Sequence, residues 1–205
     1  MQPSGIPTRD IGAATSPPGN IGLGSGRLPL FWFTTPDPTY NPLTVNYDTA
    51  IPLVAASSPA VDNSTDIDAF IDRGGKLIFY HGLSDSGPPW PYTYDYFGAV
   101  EKDHGGGLAG VSQFMKMYLI PNTGHCGGNA STDRFDKMTP MVNWIENDVA
   151  PGSIIATGTN FNSMLGTLTG LPTTRSRPLC AYPKTLRYMG PIGRDISVES
   201  NYLCQ

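Results

Sequence analysis

The chain is poor in charge. Only 15% of its 205 residues are Asp, Glu, Lys or Arg, and the formal net charge is −4. No run of Lys or Arg could follow a phosphate backbone, so nucleic acid is not an expected partner. No apolar stretch reaches the about 18 uninterrupted residues that a bilayer-spanning helix needs, so no membrane partner is expected either. The opening, MQPSGIPTRDIG, lacks the basic start and apolar core of a signal peptide, and no export signal is expected within this chain. Cysteine is scarce and odd in number. Cys180 and Cys204 could close a loop of moderate size, whereas Cys126 has no obvious partner. On number alone, reduced cytosolic thiols remain an open reading.

What the sequence has in quantity is 24 Gly and 20 Pro, more than a fifth of the chain, so turns and loops should be abundant. The length suits one domain with a real core, or a large half of a bigger one. Residues 1–60 are rich in Pro, Gly, Ser and Thr, broken by LPLFWF at 28–33, and read as a mostly irregular segment with one short strand. From 61 to 205 the pattern changes. NSTDIDAFIDRGG offers Ser64 and Thr65 as N-caps, Ile67, Phe70 and Ile71 at helical spacing, and Gly74 as a stop. KLIFYHG at 76–82 is a continuous apolar run ending in Gly, the pattern of a buried parallel strand. A helix follows over 92–105, with Tyr92, Tyr96 and Val100 on its apolar face, then a strand at 114–120 stopped by Pro121. In TPMVNWIENDVAPG, Thr139 is the expected cap and Pro140 a first-turn residue, with Met141, Val142, Ile145 and Val149 on one side. SIIATG at 153–158 is the last clear strand. Helices alternating with strands predict an α/β fold, a mainly parallel sheet flanked by helices, with no internal repeat.

Two of these strands stop in glycine-rich turns that each carry an ionisable residue: Asp85 in FYHGLSDSGPP at 79–89, and His125 in YLIPNTGHCGG at 118–128. In open α/β sheets functional groups gather beyond the carboxyl ends of strands. Two adjacent ends would let the Asp orient an imidazole through its Nδ1 proton while Nε2 serves as a general base. Asp before His is the α/β-hydrolase order, with a Ser earlier in the chain. Each residue alone has a plainer reading, the Asp as a turn former and the His as a solvated side chain. The pairing is what argues for chemistry. The best nucleophile string, GLGSGR at 22–27, fails: Gly24 precedes Ser25, the G-x-S-x-G spacing is broken and no strand leads into it. HGGG at 104–107 lies between acid and base rather than ahead of a nucleophile, and reads as a connection. His81, His125 and Cys126 lack paired metal-ligand spacing, so neither metal nor other cofactor is expected. The sequons at Asn63 and Asn129 matter only in a eukaryotic secretory route. A glycan on Asn129 would crowd His125, so that match reads as accidental.

GGKLIFYHGLSD, PNTGHCGG, FDKMTPMVNWIENDVAPGSIIAT and RSRPLCAYPKTLRYMG with its trailing YLC, in that order, resemble the C-terminal part of the tannase and feruloyl esterase family, over residues 64–204. The resemblance implies an α/β-hydrolase that cleaves aromatic carboxylic esters of the feruloyl or galloyl kind. It implies Asp85 as the triad acid, His125 as the base, Cys126 as one arm of a disulfide to a Cys beside the nucleophilic Ser, and Cys180–Cys204 as a second disulfide. The family's nucleophile motif, Gly-Cys-Ser-x-Gly-Gly, occurs nowhere in the 205 residues, and its calcium-bearing lid is absent, so no metal site is carried over. By this resemblance the chain is the C-terminal portion of the hydrolase, without the nucleophile-bearing half. Residues 1–60 are then the end of the lid or its return to the core, and residues 61–205 the rest of the catalytic domain. The Ser would come from outside this chain, through a truncation or a separate partner chain, and the setting would be secreted or periplasmic. The rival reading is a non-catalytic remnant or binding module that keeps the fold.

Overall fold

A computed structural model describes residues 37, 39, 41, 44–61, 63–128, 130–159, 161, 172–191 and 195–205, and divides after Ser64 into two units. The strand expected at 28–33 and Ser25 lie outside the described residues. In the first unit, Tyr47–Val61 forms a 15-residue helix, α1, inside the segment expected to be irregular. Asn46 opens it, its Oδ1 accepting the Asp48 N–H at 3.0 Å and its carbonyl the Ala50 N–H at 2.9 Å. Pro52 and Pro59 are what made this stretch read as loop.

The second unit runs α2 (Asp68–Asp72), β1 (Leu77–Gly82), α3 (Trp90–His104), α4 (Gly107–Val111), β2 (Met115–Ile120), β3 (Arg134–Phe135), α5 (Met138–Asn147), β4 (Ser153–Gly158), β5 (Arg175–Cys180), β6 (Leu186–Tyr188) and β7 (Tyr202–Cys204). Strands β1 and β2 pair in parallel, Leu77 opposite Met115 through Gly82 opposite Ile120, so they end level. The crossover between them is α3 and α4, joined at Gly105, Gly106 and Gly107, all at positive φ; HGGG is thus a tight helix-to-helix turn. Period-2 alternation splits the apolar run between two cores. Leu77, Phe79, Met115 and Met117 pack with Phe97, Val100, Val111 and Phe114 on the helix side. Ile78, Tyr118 and Ile120 pack with Ile154, Ala156 and Leu179 on the other. Burial pushes the Tyr118 phenol up to about 12, and it donates to the Pro151 and Gly152 carbonyls at 3.2 Å.

Beyond β1–β2 the sheet is not parallel as expected. β4 lies antiparallel to both β3 and β5, and β6 antiparallel to β7, making the architecture α/β with mixed strands. Strand β4 alternates exposed and buried along its length, which suits an antiparallel ribbon with one wet face, and no helix separates it from β5 among the described residues. An antiparallel bridge between Tyr118 and Ala181 joins this ribbon to β2. Cys180 and Cys204 form a disulfide with Cα atoms 5.4 Å apart, tying the end of β5 to β7.

Helix starts also differ from expectation. α2 begins at Asp68 behind Ile67, because the Thr65 hydroxyl donates instead to Asp103 Oδ2 at 2.5 Å. α5 begins before Thr139: the Asp136 carboxylate accepts the Met138 and Thr139 N–H groups at 2.9 and 3.0 Å. On α3, Tyr92 is exposed and Phe97 takes the buried place beside Val100. On α5 the expected apolar side is largely outward, with Val142 and Ile145 exposed, as is Val149 beyond its end, and Trp144 is buried at 2% exposure. The Trp144 ring lies under the Lys76 and Lys116 ammonium groups, 5.4 and 5.9 Å from its centroid. Trp144→Ala should therefore destabilise the chain by about 3–5 kcal/mol, read as a lowered urea midpoint at unchanged slope.

Candidate active site

Because β1 and β2 end level, the turns that leave them run side by side. The Leu83 N–H donates to the Ile120 carbonyl and the Ser84 N–H to the Thr123 carbonyl, both at 3.0 Å, stitching one turn to the other. Gly82 permits the approach: a Cβ there would meet the Thr123 carbonyl and lie 3.0 Å from the Gly124 oxygen. Asp85 then closes a local turn, its Oδ1 accepting the Gly87 N–H at 2.8 Å. On the other loop Gly127 and Gly128 both adopt φ +87°, and the Gly128 N–H donates to Asp133 Oδ2 at 2.5 Å, fixing the chain just past His125.

The result is a direct contact. His125 Nδ1 donates to Asp85 Oδ2 at 2.8 Å across 40 positions of sequence. The two side chains differ in exposure, 6% for Asp85 and 64% for His125, so a buried carboxylate holds an imidazole whose far edge is open. Nε2 of His125 has no hydrogen-bond partner among the described residues. Both side chains line a hollow of about 700 Å³, together with Tyr80, His81, Cys126 and Phe135. Cys126 is exposed and unpaired among the described residues. Asn129 lies outside them. No group of three or more His, Cys, Asp or Glu side chains able to hold a metal ion occurs among the described residues.

Two features of the hollow escaped the sequence. Lys137 places its ammonium 4.6 Å from the Tyr80 ring centroid and 5.2 Å from that of Phe135, forming one wall. His81 stands against Asp85, Nε2 to Oδ2 at 3.7 Å. The available signal was the spacing itself, a His four residues before the Asp and on the strand that delivers it.

The match to the family model for tannase and feruloyl esterase spans residues 34–204. The chain belongs to this family. A mono(2-hydroxyethyl) terephthalate hydrolase from Piscinibacter sakaiensis is 42% identical over 146 residues, taking in 69% of this chain and 21% of that protein. A tannase from Aspergillus oryzae is 31% identical over 134 residues, 61% of this chain and 21% of that protein. The chain thus spans only about a fifth of the length of these two relatives of the family. The crystal structure of feruloyl esterase B from Aspergillus oryzae superposes with a TM-score of 0.70 over 88% of this chain and 36% of that one, at 20% identity, a likeness of fold.

Proposed function

We propose that the chain is the C-terminal portion of a serine carboxylic ester hydrolase of the tannase and feruloyl esterase type, acting on aromatic esters, with the nucleophilic Ser outside these 205 residues. The observation that carries the reading is the 2.8 Å contact from His125 Nδ1 to Asp85 Oδ2 beyond two level parallel strands. In the assembled enzyme the Ser hydroxyl attacks the ester carbonyl carbon and its proton passes to His125 Nε2. The tetrahedral oxyanion collapses, the C–O bond to the alcohol breaks, and His125 returns the proton to the leaving alkoxide. Water, deprotonated by the same Nε2, then attacks the acyl-enzyme carbonyl, the bond to the Ser oxygen breaks to release the free acid, and His125 returns the proton to that oxygen. Asp85 keeps the proton on Nδ1 and stabilises the imidazolium in each half.

Cys126 belongs to the same proposal. A disulfide from it to a Cys beside the Ser would clamp base and nucleophile, since such a bond holds Cα atoms within about 4.4–6.8 Å. With Cys180–Cys204 it points to an oxidising compartment, secreted or periplasmic. Residues 61–205 are then the C-terminal part of the catalytic domain and residues 1–60 the end of the lid or its return to the core. The test is a fluorophosphonate probe. The chain alone should take no label at serine and hydrolyse no feruloyl or galloyl ester. Joined to a segment carrying the Cys-Ser pair, it should gain both activities. Labelling of the chain alone refutes the external Ser, and a silent assembled protein favours the rival binding module.

A further inference from the structure

We propose that His81 is the positioning residue that holds the Asp85 turn in the geometry His125 needs. This rests on the acid–base roles proposed for Asp85 and His125, and concerns what fixes the acid. His81 shares the face of β1 that carries Leu77 and Phe79, so its side chain turns toward the helix side, where it is 11% exposed. Its Nε2 lies 2.9 Å from the Pro88 carbonyl oxygen. A carbonyl only accepts, so Nε2 carries the proton. In the neutral ring Nδ1 is then an acceptor, and it lies 2.8 Å from the Thr93 hydroxyl, which donates to it.

One ring therefore joins three elements: β1, the turn that bears Asp85, and the first turns of α3. Upstream, Leu83 and Ser84 tie the turn to the loop after β2, and around the acid the Asp85 N–H donates to the Gly82 carbonyl at 3.1 Å and the Gly87 N–H to Asp85 Oδ1. Downstream, Pro88 and Pro89 have no N–H, so the Pro88 carbonyl is a natural handle on that side of the acid. His81 grips it. The same Nε2–H edge stands 3.7 Å from Asp85 Oδ2, beyond hydrogen-bond reach but placing a positive dipole end beside the oxygen that accepts from His125. The other charged side chains lining the hollow are Asp133, Arg134 and Lys137. A purely structural His81 would affect stability alone. A positioning His81 also governs which nitrogen of His125 carries the proton.

That difference is measurable on the 205-residue chain by long-range proton–nitrogen correlation of the imidazoles in mildly alkaline buffer, with only three His to assign. The native chain should show His125 as the Nδ1–H tautomer. His81→Ala should lose that form in favour of Nε2–H, with the dispersion of the core amides unchanged. His81→Gln, whose amide stands in for Nε2 and reaches Pro88, should retain it. His81→Asn reaches only toward Thr93 and should behave like Ala. If the Ala variant does not fold, Thr93→Val, which removes the hydroxyl that donates to His81 Nδ1 and so loosens the ring, should show partial loss of the same signal. Retention of the Nδ1–H form in folded Ala and Asn variants, a Gln variant no better than Ala, or an unchanged Thr93→Val signal would overturn the inference. A native chain already in the Nε2–H form would instead remove the Asp85–His125 pairing, and with it both this inference and the proposed mechanism.

Discussion

Asp85→Asn is expected to lower kcat toward an aromatic ester about 10,000-fold in the esterase assembled from this chain and the serine-bearing segment, with KM little changed. The direction follows from which amide atom faces which neighbour. The Gly87 N–H donates to Oδ1 of Asp85 at 2.8 Å. In the Asn variant that site keeps the amide oxygen, because an NH2 there would set donor against donor. The NH2 is then turned toward His125 Nδ1, which must become an acceptor and give up its proton. The ring moves to the Nε2–H tautomer, whose exposed edge can no longer take a proton from a serine. Shape and burial barely change, so the loss should appear in steady-state rates while near-ultraviolet circular dichroism stays native. His125→Ala should give a loss of similar size, and the double variant little more than either alone, since the two act as one unit. A drop below about tenfold for Asp85→Asn would remove Asp85 from the mechanism.

The parts of this fold legible in sequence are those whose cause is local. β1 and β2 both send side chains into the two cores, so they read as unbroken apolar runs, and the strand ends bearing Asp85 and His125 are legible in the sequence. The misread parts have distant causes. Thr65 is a sound cap by local rules, yet its hydroxyl is drawn to Asp103, 38 residues away. β4 resembles another strand of a parallel series until its partners are known, and both prove antiparallel. The apolar side of α5 is real as a pattern, but the packing turns Trp144 inward and leaves Ile145 60% exposed. For His81 the sequence offers a metal-ligand reading, which its spacing fails, and a place four residues before Asp85, which does not say what the ring touches. Its meaning depends on the proline turn folding back onto it.

The second large effect is expected from the smallest residue in the site. Gly82→Ala should destabilise the chain by about 1–3 kcal/mol and, in the assembled esterase, cut kcat by at least about 100-fold. The added methyl would meet the Thr123 carbonyl, lying 2.9 Å from its carbon and 3.0 Å from the Gly124 oxygen. All of these are backbone atoms, so no side-chain rotation relieves the clash and the two turns must separate. The Ser84 to Thr123 hydrogen bond lies on the line of that separation, and the 2.8 Å contact between Asp85 and His125 lies just beyond it. Gly98→Ala provides the comparison. Gly98 lies within α3 with nothing inside 4 Å of its added Cβ, and there the change should stabilise by about 0.5–1 kcal/mol. Urea midpoints of the two variants should therefore move in opposite directions, and only the first should impair hydrolysis. If Gly82→Ala kept both midpoint and rate, the close approach of the two turns would not be what brings acid and base together.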